Sequence, residues 1–198
     1  FNESYKRLKN VMDSLNEDYE LIFINDGSTD TTETLVKNTA ILDKKVKLIN
    51  FSRNFGHQIA ISAGMDYSSG DAVIIIDADL QDPPELIPKM ISKYIEGYDV
   101  VYAVRSNRKG ETFFKKFSAK LFYRTLKYLT DFNIPVDTGD FRLISRNVCD
   151  VLSSLDERNR FVRGLVSWVG FNQIGIEYVR DDRFAGETKY PLKKMLKL

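Results

Sequence analysis

The chain contains 198 residues, 43% of them hydrophobic and 12% aromatic, which suits one globular domain over residues 1–198 and excludes a disordered or fibrous chain. Its formal net charge of +1 provides no overall attraction to nucleic acid, so nucleic acid is not expected as a partner. Cys149 is the only cysteine and His57 the only histidine. An internal disulfide framework, a cysteine-based zinc site and a histidine-relayed triad are therefore not expected.

Helices and strands alternate along the first half of the chain. Apolar residues at helical spacing between Leu8 and Leu15 predict a first helix, and a strand follows at residues 19–25. The same patterns predict helices at residues 30–41, 56–69 and 84–95 and strands at residues 46–51, 72–76 and 99–104. Such alternation predicts an α/β fold with a mostly parallel central sheet and helices on both faces.

The pattern changes beyond residue 104. It predicts a long helix at about residues 112–129, a loop through Asp140, a short strand, helices, and a last strand near residues 173–179. Between residues 105 and 127, eight basic residues and one acid lie among several aromatic residues. This segment suits an anionic membrane surface or a phosphate-bearing acceptor, and it suits equally a helix with an aromatic core face and solvated lysines. No segment has the length of a membrane span.

Two aspartates, Asp77 and Asp79, follow the apolar strand predicted at residues 72–76. Strand side chains two residues apart point the same way, so both carboxylates can meet one cation. Mg²⁺ and Mn²⁺ prefer such oxygen ligands and complete their coordination with water and substrate phosphates. We predict an Mg or Mn cation bound here beside a diphosphate. The alternatives are the aspartate pair of haloacid-dehalogenase-type phosphotransferases, which expects Thr or Val in place of Gln81, and two solvated loop aspartates.

Two further aspartates lie next to predicted strands. Asp26 ends a strand and precedes Gly27, which permits a sharp turn that leaves the carboxylate free to accept from a nucleobase N–H. Asp140 joins a loop to an apolar strand, where a fixed backbone can aim it into a cleft. The alternatives are a helix cap at the first turn and an ordinary turn at the second. Because ligands bind outside the carboxyl ends of parallel strands, the segments after the strands near residues 25, 51 and 76 are predicted to converge on one site.

Five segments taken in chain order closely resemble glycosyltransferase family two. They are FNE at residues 1–3, NDGS at 25–28, SRNFG at 52–56, DADLQDPPE at 77–85 and TGDFR at 138–142. Within that family the chain is most similar to the polyprenyl-phosphate glycosyltransferases, a group that includes dolichyl-phosphate mannosyl synthases and bactoprenol glucosyl transferases. The resemblance implies the A-type nucleotide-diphospho-sugar transferase fold.

The resemblance also implies roles for individual residues. Phe1, Glu3 and Asp26 are expected to hold the nucleoside, with uridine favoured over guanosine. Asp77 and Asp79 are expected to serve the sugar diphosphate and its metal, and Asp140 matches the catalytic base. The expected phosphate contacts are Arg105, Arg183 and Lys189.

The implied activity is an inverting, metal-dependent transfer of a hexose, with glucose favoured, from a UDP-sugar to a polyprenyl phosphate at the cytoplasmic face of the cell membrane. Membrane helices are expected after this domain, the family's first strand is absent before Phe1, and a homo-oligomer is left open. The alternatives are a family-two enzyme with a saccharide acceptor and a non-catalytic protein that binds nucleotide sugars.

Overall fold

A computed structural model describes residues 1–106, 138–157 and 160–179. The helices are α1 (Asn2–Asp13), α2 (Thr32–Leu42), α3 (His57–Asp66), α4 (Ile87–Ile95), α5 (Arg146–Ser154) and α6 (Val162–Trp168), with a 3₁₀ turn at Pro84–Leu86 before α4. The strands are β1 (Leu21–Asn25), β2 (Val46–Asn50), β3 (Ala72–Ile75), β4 (Val100–Arg105), β5 (Thr138–Ser145) and β6 (Gln173–Tyr178). Within these ranges, none of the helices combines the length and hydrophobicity that a membrane crossing requires.

Helices cover both faces of the sheet that contains β4. Successive residues of β4 alternate between faces, so Val101 packs with α1 and α4 while Val100 packs with α3, α5 and α6. Both side chains are completely buried. A strand whose two faces are both covered carries a continuous apolar run, as Val100 to Val104 does. The predicted α/β fold with helices on both faces is confirmed.

The strands form two hydrogen-bonded groups. β1 pairs with β2 in parallel, and the other four strands lie in the order β3-β5-β4-β6. β4 and β6 are parallel, but β5 runs antiparallel to both of its neighbours, β3 and β4. The sequence did not predict the direction of β5, because an apolar strand buried on both faces reads the same whichever way it runs.

The element boundaries differ from the predictions in two places that matter for function. Asp140 was predicted to lie in a loop before a strand, and it lies inside β5, the strand between β3 and β4 in the sheet. The predicted helix at residues 84–95 begins as a 3₁₀ turn, with prolines near the start of both of its parts. The helix predicted at residues 112–129, which holds most of the basic aromatic segment, lies outside the described residues.

Candidate active site

The loop after β3 carries the two aspartates of the predicted cation site. The Ser4 hydroxyl in α1 donates to the carbonyl oxygen of Ala78 at 2.8 Å, which ties the start of α1 to this loop. The Gln81 backbone N–H donates to Asp79 Oδ1 at 3.1 Å. Leu80 lies between them with a φ of 59° and a buried side chain. A leucine in this left-handed region is strained, and strain of this kind persists only where the surroundings fix the backbone.

A cavity of about 400 Å³ opens beside this loop. That volume lies in the range of small-molecule pockets. The Phe1 ring, at one wall, packs edge to face against Phe23 of β1 with ring centroids 5.0 Å apart. The cavity therefore brings together three residues that were predicted to bind the nucleotide sugar, namely Phe1, Glu3 and Asp79. The full lining is Phe1, Asn2, Glu3, Ser4, Leu35, Ala78, Asp79 and Leu80.

The Asp26 carboxylate accepts hydrogen bonds from the protein backbone. The Phe55 N–H donates to Oδ1 at 2.7 Å, and the Gly56 N–H donates to Oδ2 at 3.0 Å. These two residues immediately precede α3, so Asp26 fixes the chain at the start of that helix. The carboxylate is predicted to accept from a nucleobase N–H, and these two bonds leave capacity for that contact because a carboxylate can accept about four hydrogen bonds. Its contact with a nucleobase remains a prediction, and Asp26 does not line the cavity described above.

Gly27 allows the loops after β1 and β2 to lie against each other. Its φ is +70°, and a Cβ there would lie 2.5 Å from the Asn54 backbone nitrogen.

We expect Gly27→Ala to lower the free energy of unfolding by about 2–4 kcal/mol, because it adds a backbone clash to left-handed strain. Urea denaturation measures the change. Gly97→Ala is the control, since Gly97 also has a positive φ but an added Cβ meets nothing within 4 Å. Its expected cost is about 1 kcal/mol, from the left-handed conformation alone. Equal losses would contradict the role of the close approach.

Asp140 lies at the centre of a group of charged side chains. Its Oδ2 atom is 3.0 Å from His57 Nε2 and 3.2 Å from a terminal nitrogen of Arg163. Its Oδ1 atom is 4.0 Å from a terminal nitrogen of Arg142. His57 Nε2 is also 3.8 Å from Asp77 Oδ1. One histidine at the start of α3 therefore connects the predicted base to the predicted cation site.

These neighbours determine the ionisation of the site. Partial burial raises the pKa of Asp140, but the hydrogen bond from His57 and the charges of Arg163 and Arg142 outweigh it and lower the pKa to about 2. Asp77 shows the opposite shift: burial raises its pKa, His57 opposes the rise, and nearby carboxylates including Asp79 add to it. A bound cation would relieve the repulsion at Asp77.

A second buried group lies on the opposite side of β5. The Tyr178 hydroxyl donates a hydrogen bond to Asp82 Oδ1 and accepts one from Arg105 Nε at 3.3 Å. Burial, followed by the bond to Asp82, raises the pKa of Tyr178 to about 12. Gly139 leaves room for the Arg105 guanidinium, since a Cβ there would lie 2.7 Å from a terminal nitrogen of that side chain. Arg105, a predicted phosphate contact, is thus held from one side by a phenol.

We expect Tyr178→Phe to lower kcat/KM about tenfold, because a guanidinium displaced by about 1 Å stabilises phosphate charge poorly. The free energy of unfolding should fall by about 1–3 kcal/mol, since the buried Asp82 loses a donor. Steady-state kinetics and urea denaturation measure the two effects. Tyr102→Phe on β4 is the control, because no hydrogen bond of its hydroxyl is seen within the described residues. Identical behaviour of the two variants would refute this role of Tyr178.

Sequence reasoning missed His57, Arg163, Asp82 and Tyr178 as members of the site. One feature of the sequence pointed to His57, which lies at the start of a predicted helix shortly after a predicted strand. Arg163 and Tyr178 carried no local signal, since each meets its partner only through the tertiary fold. Arg183 and Lys189 lie outside the described residues, so their predicted phosphate contacts remain predictions.

Asp77 and Asp79 suit a divalent cation whose coordination is completed by oxygen atoms of the substrate. Within the described ranges, no group of three or more His, Cys, Asp or Glu side chains is arranged to hold a metal. Asp77 and Asp79 therefore offer an incomplete site, which is the usual case for Mg²⁺ held by one or two carboxylates together with phosphate oxygens. Burial and, after it, repulsion from neighbouring carboxylates raise the pKa of Asp77, and a bound cation would offset both effects by stabilising the charged form.

The sequence matches known proteins over most of its length. The family model described as Glycosyl transferase family 2 matches residues 1–152. An uncharacterized glycosyltransferase, YkcC, from Bacillus subtilis (strain 168) is 65% identical over 99% of this chain and 61% of its own length. A prophage bactoprenol glucosyl transferase homolog from Escherichia coli (strain K12) is 42% identical over 94% of this chain and 61% of its own length. The chain thus spans about three fifths of these relatives.

Solved structures show the same fold. Glucosyl-3-phosphoglycerate synthase from Mycobacterium tuberculosis, in complex with Mn²⁺, UDP-glucose and glycerol 3-phosphate, matches with a TM-score of 0.61 at 20% identity, over 96% of this chain and 70% of that one. The mannosyltransferase PcManGT from Pyrobaculum calidifontis, in complex with GDP-Man and Mn²⁺, matches with a TM-score of 0.59 at 16% identity, over 88% and 51% of the two chains. The A-type nucleotide-diphospho-sugar transferase fold is confirmed.

Proposed function

The chain belongs to glycosyl transferase family 2, and from that membership we propose that it transfers a hexose, with glucose favoured, from UDP to a polyprenyl phosphate. Relatives at 42–43% identity carry the name bactoprenol glucosyl transferase, which supports both the sugar and the lipid acceptor. The family leaves the phosphotransferase interpretation of Asp77 and Asp79 without support.

The arrangement of side chains around the loop after β3 supports this proposal. Phe1, Glu3 and Asp79 line one cavity, while Asp77 lies 3.8 Å from the histidine that contacts Asp140. The nucleoside is proposed to bind along Phe1 and Glu3, and the diphosphate near Asp77 and Asp79. Asp26, which fixes the start of α3, is proposed to accept a hydrogen bond from the nucleobase. Its two backbone contacts leave lone pairs for this bond, since a carboxylate can accept about four hydrogen bonds.

The proposed reaction is a single displacement with inversion at the anomeric carbon. An oxygen of the acceptor phosphate forms a bond to that carbon as its bond to the β-phosphate oxygen breaks, and the electron pair leaves with UDP. A divalent cation bound at Asp77 and Asp79 would supply stabilisation of the charge on the departing diphosphate. Arg105 is proposed to bind the same phosphates, because a fixed guanidinium stabilises developing negative charge.

The ionisation of Asp140 supports a phosphate acceptor. A general base works best with a pKa near the working pH, and the pKa of Asp140 is about 2. A sugar hydroxyl would need a stronger base, whereas a phosphate monoester with a second pKa of about 6 is already mostly dianionic at neutral pH. We therefore assign Asp140 the orientation of the acceptor rather than its deprotonation.

A polyprenyl phosphate places the reaction at a membrane surface, for which the cytoplasmic face is proposed because UDP-sugars are the donors. Arg183 and Lys189 are proposed as further phosphate contacts, and the basic residues between 105 and 127 as an approach to anionic headgroups. Membrane-spanning helices in the full-length protein belong to the same proposal.

The test is a transfer assay with the full-length protein, UDP-[¹⁴C]glucose, a polyprenyl phosphate and either Mn²⁺ or Mg²⁺. We expect label in the organic phase together with release of UDP, and no transfer in EDTA. GDP-mannose and UDP-galactose are the matched donors. Label that appears only on a glycan would refute the lipid acceptor. Binding of UDP-glucose without turnover under any condition would favour the non-catalytic alternative.

A further inference from the structure

The side chains of His57 and Arg163 contact the same oxygen of Asp140. His57 Nε2 and an Arg163 terminal nitrogen lie 3.0 Å and 3.2 Å from Oδ2. The other oxygen, Oδ1, is 4.0 Å from Arg142, which is beyond hydrogen-bond distance. The two oxygens of this carboxylate therefore have different environments: Oδ2 contacts two protein nitrogens, whereas no hydrogen bond to Oδ1 is seen within the described residues.

The helix that carries Arg163 is anchored close to His57. The backbone N–H of Val162, the first residue of α6, donates to Gln58 Oε1 at 2.9 Å. Gln58 follows His57 directly in α3. The first turn of α3 therefore supplies one side chain that contacts Asp140, His57, and also fixes the helix that carries the second, Arg163. Val162 and Val166 are buried against the same cluster as Ile61 of α3, which holds α6 in place along its length.

The contact between Arg163 and Asp140 is shielded from solvent. The Asp140 side chain is 13% exposed and that of Arg163 is 25% exposed. A shielded pair is screened less by water and salt than a surface pair. The Arg163 Nε atom is buried and, within the described residues, lacks a hydrogen-bond partner. A buried N–H without a partner costs stability, so this arginine is poorly explained as a purely structural residue.

We infer that Arg163 is a positioning residue for Asp140, which it holds by Oδ2 together with His57 so that Oδ1 meets the acceptor. This inference rests on the proposed function, because it assumes that Asp140 orients the acceptor. Gln58 acts one step further away, by holding α6 at the distance that Arg163 requires. Neither side chain has to contact the substrate.

The test compares Arg163→Gln and Arg163→Lys in the full-length protein by steady-state kinetics with UDP-glucose and polyprenyl phosphate. We expect Arg163→Gln to lower kcat about 10- to 100-fold, since small displacements of a catalytic group have effects of this size. Both KM values should stay within about threefold of wild type, because the residue binds neither substrate. Arg163→Lys should recover most of kcat, because one charged donor is enough for one oxygen.

A second pair of variants decides the question if Arg163→Gln does not fold. Gln58→Met removes the acceptor for the Val162 N–H at similar side-chain length, while Gln58→Glu keeps an acceptor oxygen. We expect a kcat loss of about 3- to 10-fold for Gln58→Met and near wild-type kcat for Gln58→Glu.

Three results would overturn the inference. They are an Arg163→Gln kcat within about twofold of wild type, a loss confined to the acceptor KM, which would indicate direct acceptor binding, or equal behaviour of the two Gln58 variants. A wild-type protein that transfers to lipid phosphate while Arg163→Gln does so equally well refutes this inference alone. A wild-type protein without transferase activity refutes the proposed function and the inference together.

Discussion

Asp79→Asn is expected to lower kcat of the full-length protein about 10²- to 10³-fold, because it removes a charged ligand of the proposed cation at the point where the leaving group gains charge. Asparagine keeps an Oδ1 atom that can accept from the Gln81 N–H, as Asp79 does at 3.1 Å. The turn that holds Leu80 in its left-handed conformation is therefore preserved. The substitution separates the charge of this side chain from its structural hydrogen bond.

Asp79→Ala is the matched variant, since it removes the charge and the hydrogen bond together. Both variants should lose activity to a similar extent, and only Asp79→Ala should lose stability, by about 1 kcal/mol for one hydrogen bond. Transfer assays and thermal unfolding measure the two properties. An Asp79→Asn protein that keeps its activity within about threefold would show that no charged ligand is needed at this position.

Asp140→Asn is expected to lower kcat about 10²-fold while UDP-glucose binding is retained, because orientation of the acceptor is lost and the donor cavity is unchanged. Asparagine also places an amide donor or a neutral oxygen against Arg163 and His57, which weakens both contacts. Asp140→Glu is the control for position: it keeps the charge but moves it by one methylene, and it should also lose activity.

The pH dependence of the same variant separates orientation from base catalysis. The pKa of Asp140 is depressed to about 2, so the carboxylate is charged above that pH and becomes neutral only as the pH falls through about 2. An acid limb in the profile of kcat/KM near pH 6 would then not come from Asp140, whereas the acceptor phosphate, whose second pKa is about 6, titrates in this range. We expect this limb to remain in Asp140→Asn. Its disappearance would contradict the assignment of Asp140 to orientation alone.

The local parts of the site could be predicted from the sequence. Asp77 and Asp79 follow a strand directly, and Asp26 with Gly27 marks a sharp turn, so short patterns carry this information. The carboxyl ends of neighbouring strands meet at one edge of a sheet, which explains why residues near 26, 54 and 77 were expected close together. The contact of Asp26 with the N–H groups of Phe55 and Gly56 agrees with that convergence.

The remaining parts depend on contacts between distant segments. His57 and Asp140 are 83 residues apart in sequence, and Tyr178 and Asp82 are 96 apart, so no local pattern connects them. The antiparallel direction of β5 places its first residues, including Asp140, at the carboxyl ends of β3 and β4, and an apolar strand does not encode its direction. A single histidine or arginine also produces no repeat that could be recognised without the fold.

Binding of UDP-glucose to the full-length protein, measured by calorimetry with Mn²⁺ and then with EDTA, tests the proposed cation site most directly. We expect binding that requires the cation, is lost in Asp79→Asn and persists in Asp140→Asn. Equal affinity for UDP-glucose with Mn²⁺ and with EDTA would contradict the claim that Asp77 and Asp79 gather a cation around the diphosphate.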